Sequence, residues 1–245
     1  MSGHSHWATI KHKKGAADAK KGKLFSKIAR LIILAARQGG GDPKMNLKLQ
    51  YALDEARAAN MPKDNVERAI KRGTGELEGV TYEEVTYEGY GPGGVAFLVE
   101  ALTDNKNRSA AEIRKIFEGT GGNLGTTGSV RRLFDRKGLI RVPAAGVSED
   151  QLMSDVLDAG GDNLEKTGDA FEITTAAADY DKVKKAIEAK KYKIESSELA
   201  MIPSMSVPVD EEVGQKILRL MDGLDESDDV QKIYANFELP ETLLK

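Results

Sequence analysis

Lys11, Lys13, Lys14, Lys20, Lys23, Lys27 and Arg30 crowd the first thirty residues of the chain. Cations at this density neutralise phosphates and release the counterions condensed on them. Residues 1–37 hold nine lysines and arginines against one acid, Asp18. At ~100° per residue on a helix, Lys20, Lys23, Lys27, Arg30 and Arg37 share about 100° of arc. A solvated helix face normally mixes signs, because like charges repel at these spacings. This stripe does not mix them, which points to nucleic acid. Trp7, the one tryptophan, lies among His4, His6, Lys11 and His12. Base stacking or a cation–π contact is open to it, as is an anchor folded back onto the helices. Lys106 and Arg108, in Asp104-Asn-Lys-Asn-Arg108, stand just before an expected helix start, whose free N–H groups would face a phosphate.

Other chemistries find less support. With no cysteine in the chain, disulfides, thiolate zinc, iron–sulfur clusters and cysteine nucleophiles are excluded. The three histidines have no acid or thiol nearby to complete a metal set, and no metal or other cofactor is expected. All three fall within the first twelve residues, where no serine–histidine–acid set stands out, so no catalytic residue is assigned. Gly89-Tyr-Gly-Pro-Gly-Gly94 has the letters of a dinucleotide fingerprint, but a strand pattern follows where a helix is needed. It reads as a hairpin turn. Gly119–Val130, GTGGNLGTTGSV, lacks the lysine of a phosphate-binding loop and reads as a connector, with a mobile loop that orders on a partner as the alternative. Asp222, Asp225, Glu226, Asp228 and Asp229 miss calcium-loop spacing and read as a solvated loop.

The elements that must position these residues follow from periodicity. Residues 15–73 read as helical, with Leu24, Ile28, Leu31, Ile32 and Ala35 on an apolar face and Gly39–Pro43 as a break. A second helix carries Leu49, Ala52, Leu53 and Ala56. A third turns Val66, Ala69 and Ile70 inward and Lys63, Arg68, Lys71 and Arg72 outward. From about residue 80, strands alternate with helices: Val85–Tyr90 and Val95–Thr103 as a hairpin, a helix capped by Ser109 and Glu112, a helix beginning at Ser148, strands Phe171–Thr175 and Ile194–Ile202, and a last helix with Val213, Ile217, Leu220 and Leu224 inward. These units suggest two α+β domains. Charge divides in the same place. Residues 1–75 carry a net +10 and the remaining 170 a net −13, although the whole chain is only −3. The longest apolar run, Leu31–Ala36, is too short to span a bilayer, so no membrane partner is expected and a cytoplasmic protein is the default.

The segments GHSHWATIKHKKGAADAKKGKLFSKI, MPKDNVERAIKRGTG, YEGYGPGGVAFLVEALTDNKNRSAAEIR and GGNLGTTGSV resemble the YebC/PmpR family, almost end to end from Gly3 to Phe237. The resemblance implies an N-terminal helical domain followed by two α+β domains, one inserted in the other. Boundaries are expected at 1–78, at 79–135 with 203–245, and at 136–202. It implies a regulator of gene expression with no catalytic residues: DNA-binding transcriptional regulation in the family's usual description, translation for some members. The family motif begins at Gly3, so no transit peptide is expected. Lysine-rich contact without a recognition helix favours structured RNA or the ribosome, with DNA as the alternative.

Overall fold

The computed structural model describes residues 17–243. Helix α1 (Ala17–Gly39) is the long helix of the basic part. Ile28, Ile32, Ala35 and Ala36 recur at helical spacing and are buried, each isoleucine contributing about 1.5–3 kcal/mol. Leu24, expected on the same face, is instead 45% exposed. Buried Asn46 joins α1 to helix α2 (Leu47–Ala58): its Oδ1 accepts from Leu49 N at 3.1 Å, and its Nδ2 donates to Ala35 O and Gly40 O, both at 2.8 Å. Helix α3 (Lys63–Thr74) lies close along α1 because Gly73 has no side chain. A Cβ there would stand 2.6 Å from Ala36 Cβ and from Ile33 O. Leu49, Ala52, Ala56 and Ala69 complete this small core.

Strand β1 (Glu83–Tyr90) and strand β2 (Ala96–Thr103) form the expected hairpin, Tyr90 opposite Ala96 across the glycine-rich turn. Helix α4 (Lys106–Gly119) follows, then the short strand β3 (Asn123–Leu124). Helix α4 starts earlier than Ser109. Its N-cap is Asn105, whose side chain accepts from Arg108 N at 3.1 Å, so the Ser109–Glu112 capping box does not form.

Residues 132–206 form a compact unit of their own, inserted in a second unit that holds the described residues before and after them. The inserted unit runs β4 (Phe134–Pro143), α5 (Glu149–Ala159), β5 (Asn163–Thr167), β6 (Ala170–Ala176), α6 (Tyr180–Ala189) and β7 (Ser196–Pro203). Its strands are ordered β5-β6-β4-β7 with antiparallel pairing throughout, a βαββαβ arrangement. Ser148 caps α5, accepting from Gln151 N, as read from the sequence.

After the insertion come β8 (Val207–Pro208), α7 (Glu211–Glu226), β9 (Val230–Ala235) and β10 (Phe237–Glu238). Strand β9 joins the first sheet in the order β3-β1-β2-β9, and β8 pairs with β10. Phe97 and Val99 meet Ile113 and Phe117 of α4 and Ile217, Leu220 and Leu224 of α7 in one buried cluster. The fold is thus α+β: a helical part and two α+β parts, one inserted in the other.

Candidate nucleic-acid interface

Trp7, Lys11, Lys13 and Lys14 lie outside the described residues, and of Lys20 only the backbone is described. The remaining cations of the α1 stripe meet protein. Lys23 Nζ donates to Glu226 O at 3.1 Å, and Lys27 Nζ to Asp225 O at 2.9 Å and Asp225 Oδ1 at 3.3 Å. One turn on, Arg30 NH1 donates to Asp228 O and Asp229 Oδ1, both at 2.7 Å, with its guanidinium 5.2 Å from the Tyr82 ring. Helix α7 ends at Glu226, so its last carbonyls have no partner within the helix and sit at the negative end of its dipole. The two lysines satisfy them. The i, i+4, i+7 spacing that suggested a phosphate track therefore also matches the carbonyl end of a helix about two hundred residues away.

Asp229 makes the second half of this contact. It is 4% exposed and takes three donors: Arg30, Thr103 Oγ1 at 2.9 Å and Arg108 NH2 at 2.9 Å. Burial raises its pKa, but hydrogen bonds from Arg108, Thr103 and Arg30 outweigh that and leave it below the usual aspartate value. Reading 222–229 as a solvated loop is corrected here. Asp229 is a buried hub, and the signal for it was charge balance: a basic helix with Asp18 as its one acid needs others from elsewhere. Arg108, in the first turn of α4, also holds Asp104 at 2.7 Å, and its two carboxylate partners raise its pKa. Lys106 pairs with Glu83. Both cations proposed to hold a phosphate at the α4 start thus have carboxylate partners.

The other side of α1 is different. Arg68, Lys71 and Arg72 of α3 are exposed, share a face at i, i+3 and i+4, and make no ion pair among the described residues. Lys71 and Arg72 also lie in the last turn of α3, where the helix dipole favours cations. Arg68 and Arg72 edge a groove of about 330 Å³ between α1 and α3, floored by Phe25, Ala29, Ile33 and Met61. No carboxylate lines it. The outward row of α3 was legible as a row of cations; that Lys63 pairs with Glu67 while Arg68, Lys71 and Arg72 make no ion pair among the described residues was not.

The Gly125–Val130 stretch is a fixed connector. Buried Glu88 on β1 accepts from Gly128 N and Val130 N at 2.7 Å and from Arg131 N at 2.8 Å. Burial pushes the Glu88 carboxyl up, yet these three backbone donors and the Arg131 charge bring it below its ordinary value. A depressed acid stabilises the fold above its unfolded pKa, and that contribution is lost as pH falls through the folded one. Glu88→Gln turns an acceptor into a donor facing N–H groups and is expected to cost about 2 kcal/mol. Urea melts at pH 7 would show the loss. The gap to wild type should narrow as pH falls through the lowered folded-state value, where Glu88 itself protonates.

Among the described residues, no group of three or more histidines, cysteines or acids is placed to hold a metal, and no helix is long and apolar enough to cross a membrane. Known proteins match the chain along nearly its whole length. Residues 5–76 match the TACO1/YebC protein N-terminal domain, and residues 82–237 the TACO1/YebC second and third domain. A probable transcriptional regulatory protein of Dictyoglomus turgidum is 54% identical, covering 100% of this chain and 99% of that protein. Another of Treponema pallidum is 51% identical over the full length of both. The crystal structure of a conserved hypothetical protein from Aquifex aeolicus superposes with a TM-score of 0.88 at 47% identity, over 98% of this chain and 99% of that one. The two domain models divide where the helical part gives way to the sheets, and at these identities the relation is one of descent: the chain belongs to the TACO1/YebC family.

Proposed function

We propose that this protein is a non-enzymatic regulator of gene expression that binds nucleic acid through the α3 side of its helical part. The observation that carries this is the exposed row Arg68, Lys71 and Arg72, three cations on one face with no ion pair among the described residues. The α1 stripe, which led the reading of the sequence, largely serves to dock α1 on α7, and any contribution from Lys11, Lys13, Lys14 and Lys20 adds to the α3 row. Relatives named as probable transcriptional regulatory proteins favour transcription, which makes duplex DNA the first target. Helix α3 follows α2 after the four residues 59–62, a spacing found in helix–turn–helix units. It also exposes Asn65, Arg68 and Arg72, side chains that read adenine and guanine edges.

Translation is the second reading, and the half-buried Phe25 in the α1–α3 groove favours it, because an aromatic floor suits an unpaired base. A competition at one fixed salt concentration separates the two. Labelled random duplex bound to the full chain is challenged with duplexes selected from genomic fragments and, separately, with ribosomes. Regulation of transcription predicts that a selected duplex beats random duplex by about 10³-fold or more. Translation predicts that ribosomes win and all duplexes compete alike. Binding to neither would end both readings.

A further inference from the structure

We infer that the groove between α1 and α3 is a stacking site for one unpaired base of single-stranded RNA, with Arg68 and Arg72 holding the flanking phosphates. This rests on the second of the two readings above, in which the helical part binds RNA, and it adds which strand form enters and how.

The two sides of α1 differ in charge. The hollow on the α7 side is lined by Asp104, Glu112, Glu226, Asp228 and Asp229 as well as by cations, and such a surface repels a polyanion. The groove on the α3 side is lined by Arg68 and Arg72 and by no acid, Asp64 and Glu67 of α3 lying outside it. Its floor is apolar: Phe25, Ala29 and Ile33 from α1, Met61 before α3. Phe25 is only partly buried, and Lys21 Nζ lies over its ring, 5.9 Å from the centroid, so one face of the ring already meets a cation. A half-buried ring lining a groove beside guanidinium groups is an arrangement on which single strands stack, at about 1–3 kcal/mol per base. A paired base cannot reach such a floor without leaving its helix, which disfavours a duplex. Arg68 and Arg72, one turn apart on the rim, lie on the same face of α3 to meet a strand's backbone.

RNA is favoured over single-stranded DNA by the polar groups beside the floor. Ser26 Oγ donates to Gly22 O at 3.1 Å, which leaves its lone pairs to accept a hydrogen bond. Asn65 sits across from it on α3 and offers both a donor and an acceptor. A ribose 2′-hydroxyl, itself donor and acceptor, matches this pair, and deoxyribose leaves it unmet.

The test uses the full chain, a twelve-nucleotide single-stranded RNA with one central 2-aminopurine, its DNA equivalent, and both annealed to complements. The wild type should quench the 2-aminopurine emission on binding RNA. Phe25→Ala should weaken single-stranded RNA about 5- to 150-fold, the stacking range above, and leave duplex affinity within about twofold. Phe25→Leu, which keeps the apolar filling, should remain weak and unquenched, and Phe25→Tyr should restore both signals. Asn65→Ala should reduce the preference for RNA over DNA. Full binding by Phe25→Leu would show that the ring only packs, and would overturn the proposal. So would equal loss on duplex and single strand, or equal affinity of the wild type for the DNA oligonucleotide. If the Phe25 variants bind normally while Arg68 and Arg72 variants do not, the stacking site fails and the nucleic-acid reading of α3 stands.

Discussion

Asp229→Asn is expected to lower folding stability by about 3 kcal/mol, because it removes one partner from a buried ionic cluster and leaves the other charges uncompensated. Asp229 is nearly fully buried and joins three segments: Arg30 of α1, Thr103 at the end of β2 and Arg108 of α4. The amide can still accept from Thr103, but its NH2 group would face a guanidinium. Chemical denaturation measures the loss, and the pH profile identifies its cause. The folded-state pKa of Asp229 is depressed, so its contribution is complete above the unfolded value near 4 and disappears as pH falls through the folded one. The difference between variant and wild type should therefore be constant from neutral pH down to about 5 and shrink below about 4. A variant as stable as wild type at pH 7 would mean that the cluster is incidental.

The second large effect concerns binding. Reversing Arg68, Lys71 and Arg72 to glutamate should weaken nucleic-acid affinity by roughly 10³-fold, about 4 kcal/mol at 1.4 kcal/mol per tenfold. Each change replaces an attraction to phosphate with a repulsion. Folding should suffer less, by about 1 kcal/mol, mainly because Lys71 and Arg72 complement the dipole of the α3 end. Lys23→Glu with Lys27→Glu should show the opposite balance. These lysines bond the last carbonyls of α7, so carboxylates in their place would face the negative end of a helix. A clear loss of stability and a smaller loss of binding are expected there. Treating both sets as equivalent surface cations would predict the same result for each.

Much of the fold was legible. Apolar spacing located the three N-terminal helices, the β1–β2 hairpin and α7, because each buries one face and so carries its period in the sequence. Strand β5 was missed. Asn163-Leu-Glu-Lys-Thr167 is an edge strand with Leu164 as its one buried large apolar side chain, and it shows little alternation. The start of α4 was misplaced because Ser109 and Glu112 imitate a capping box, whereas the backbone turns earlier at Asn105. The stripe on α1 was read correctly as a row of cations. What the sequence could not show was their partners, since Lys23, Lys27 and Arg30 find them about two hundred residues further along the chain. Such pairings depend on tertiary placement, which local periodicity does not encode. The same holds for α3, whose cations stand out only once the others have been matched with carboxylates and carbonyls.

The central claim, that α3 and not the docked face of α1 carries the phosphate contacts among the described residues, is tested most directly by salt. Association constants would be measured for wild type, for Arg68→Ala/Lys71→Ala/Arg72→Ala and for Lys23→Ala/Lys27→Ala between 50 and 300 mM salt. Each phosphate contact contributes roughly 0.7 to 0.9 to the slope of log K against log salt. The α3 variant should lose about 2 to 3 from the magnitude of that slope, and the α1 variant should keep the wild-type slope. An unchanged slope in the α3 variant, with a reduced one in the α1 variant, would contradict the account.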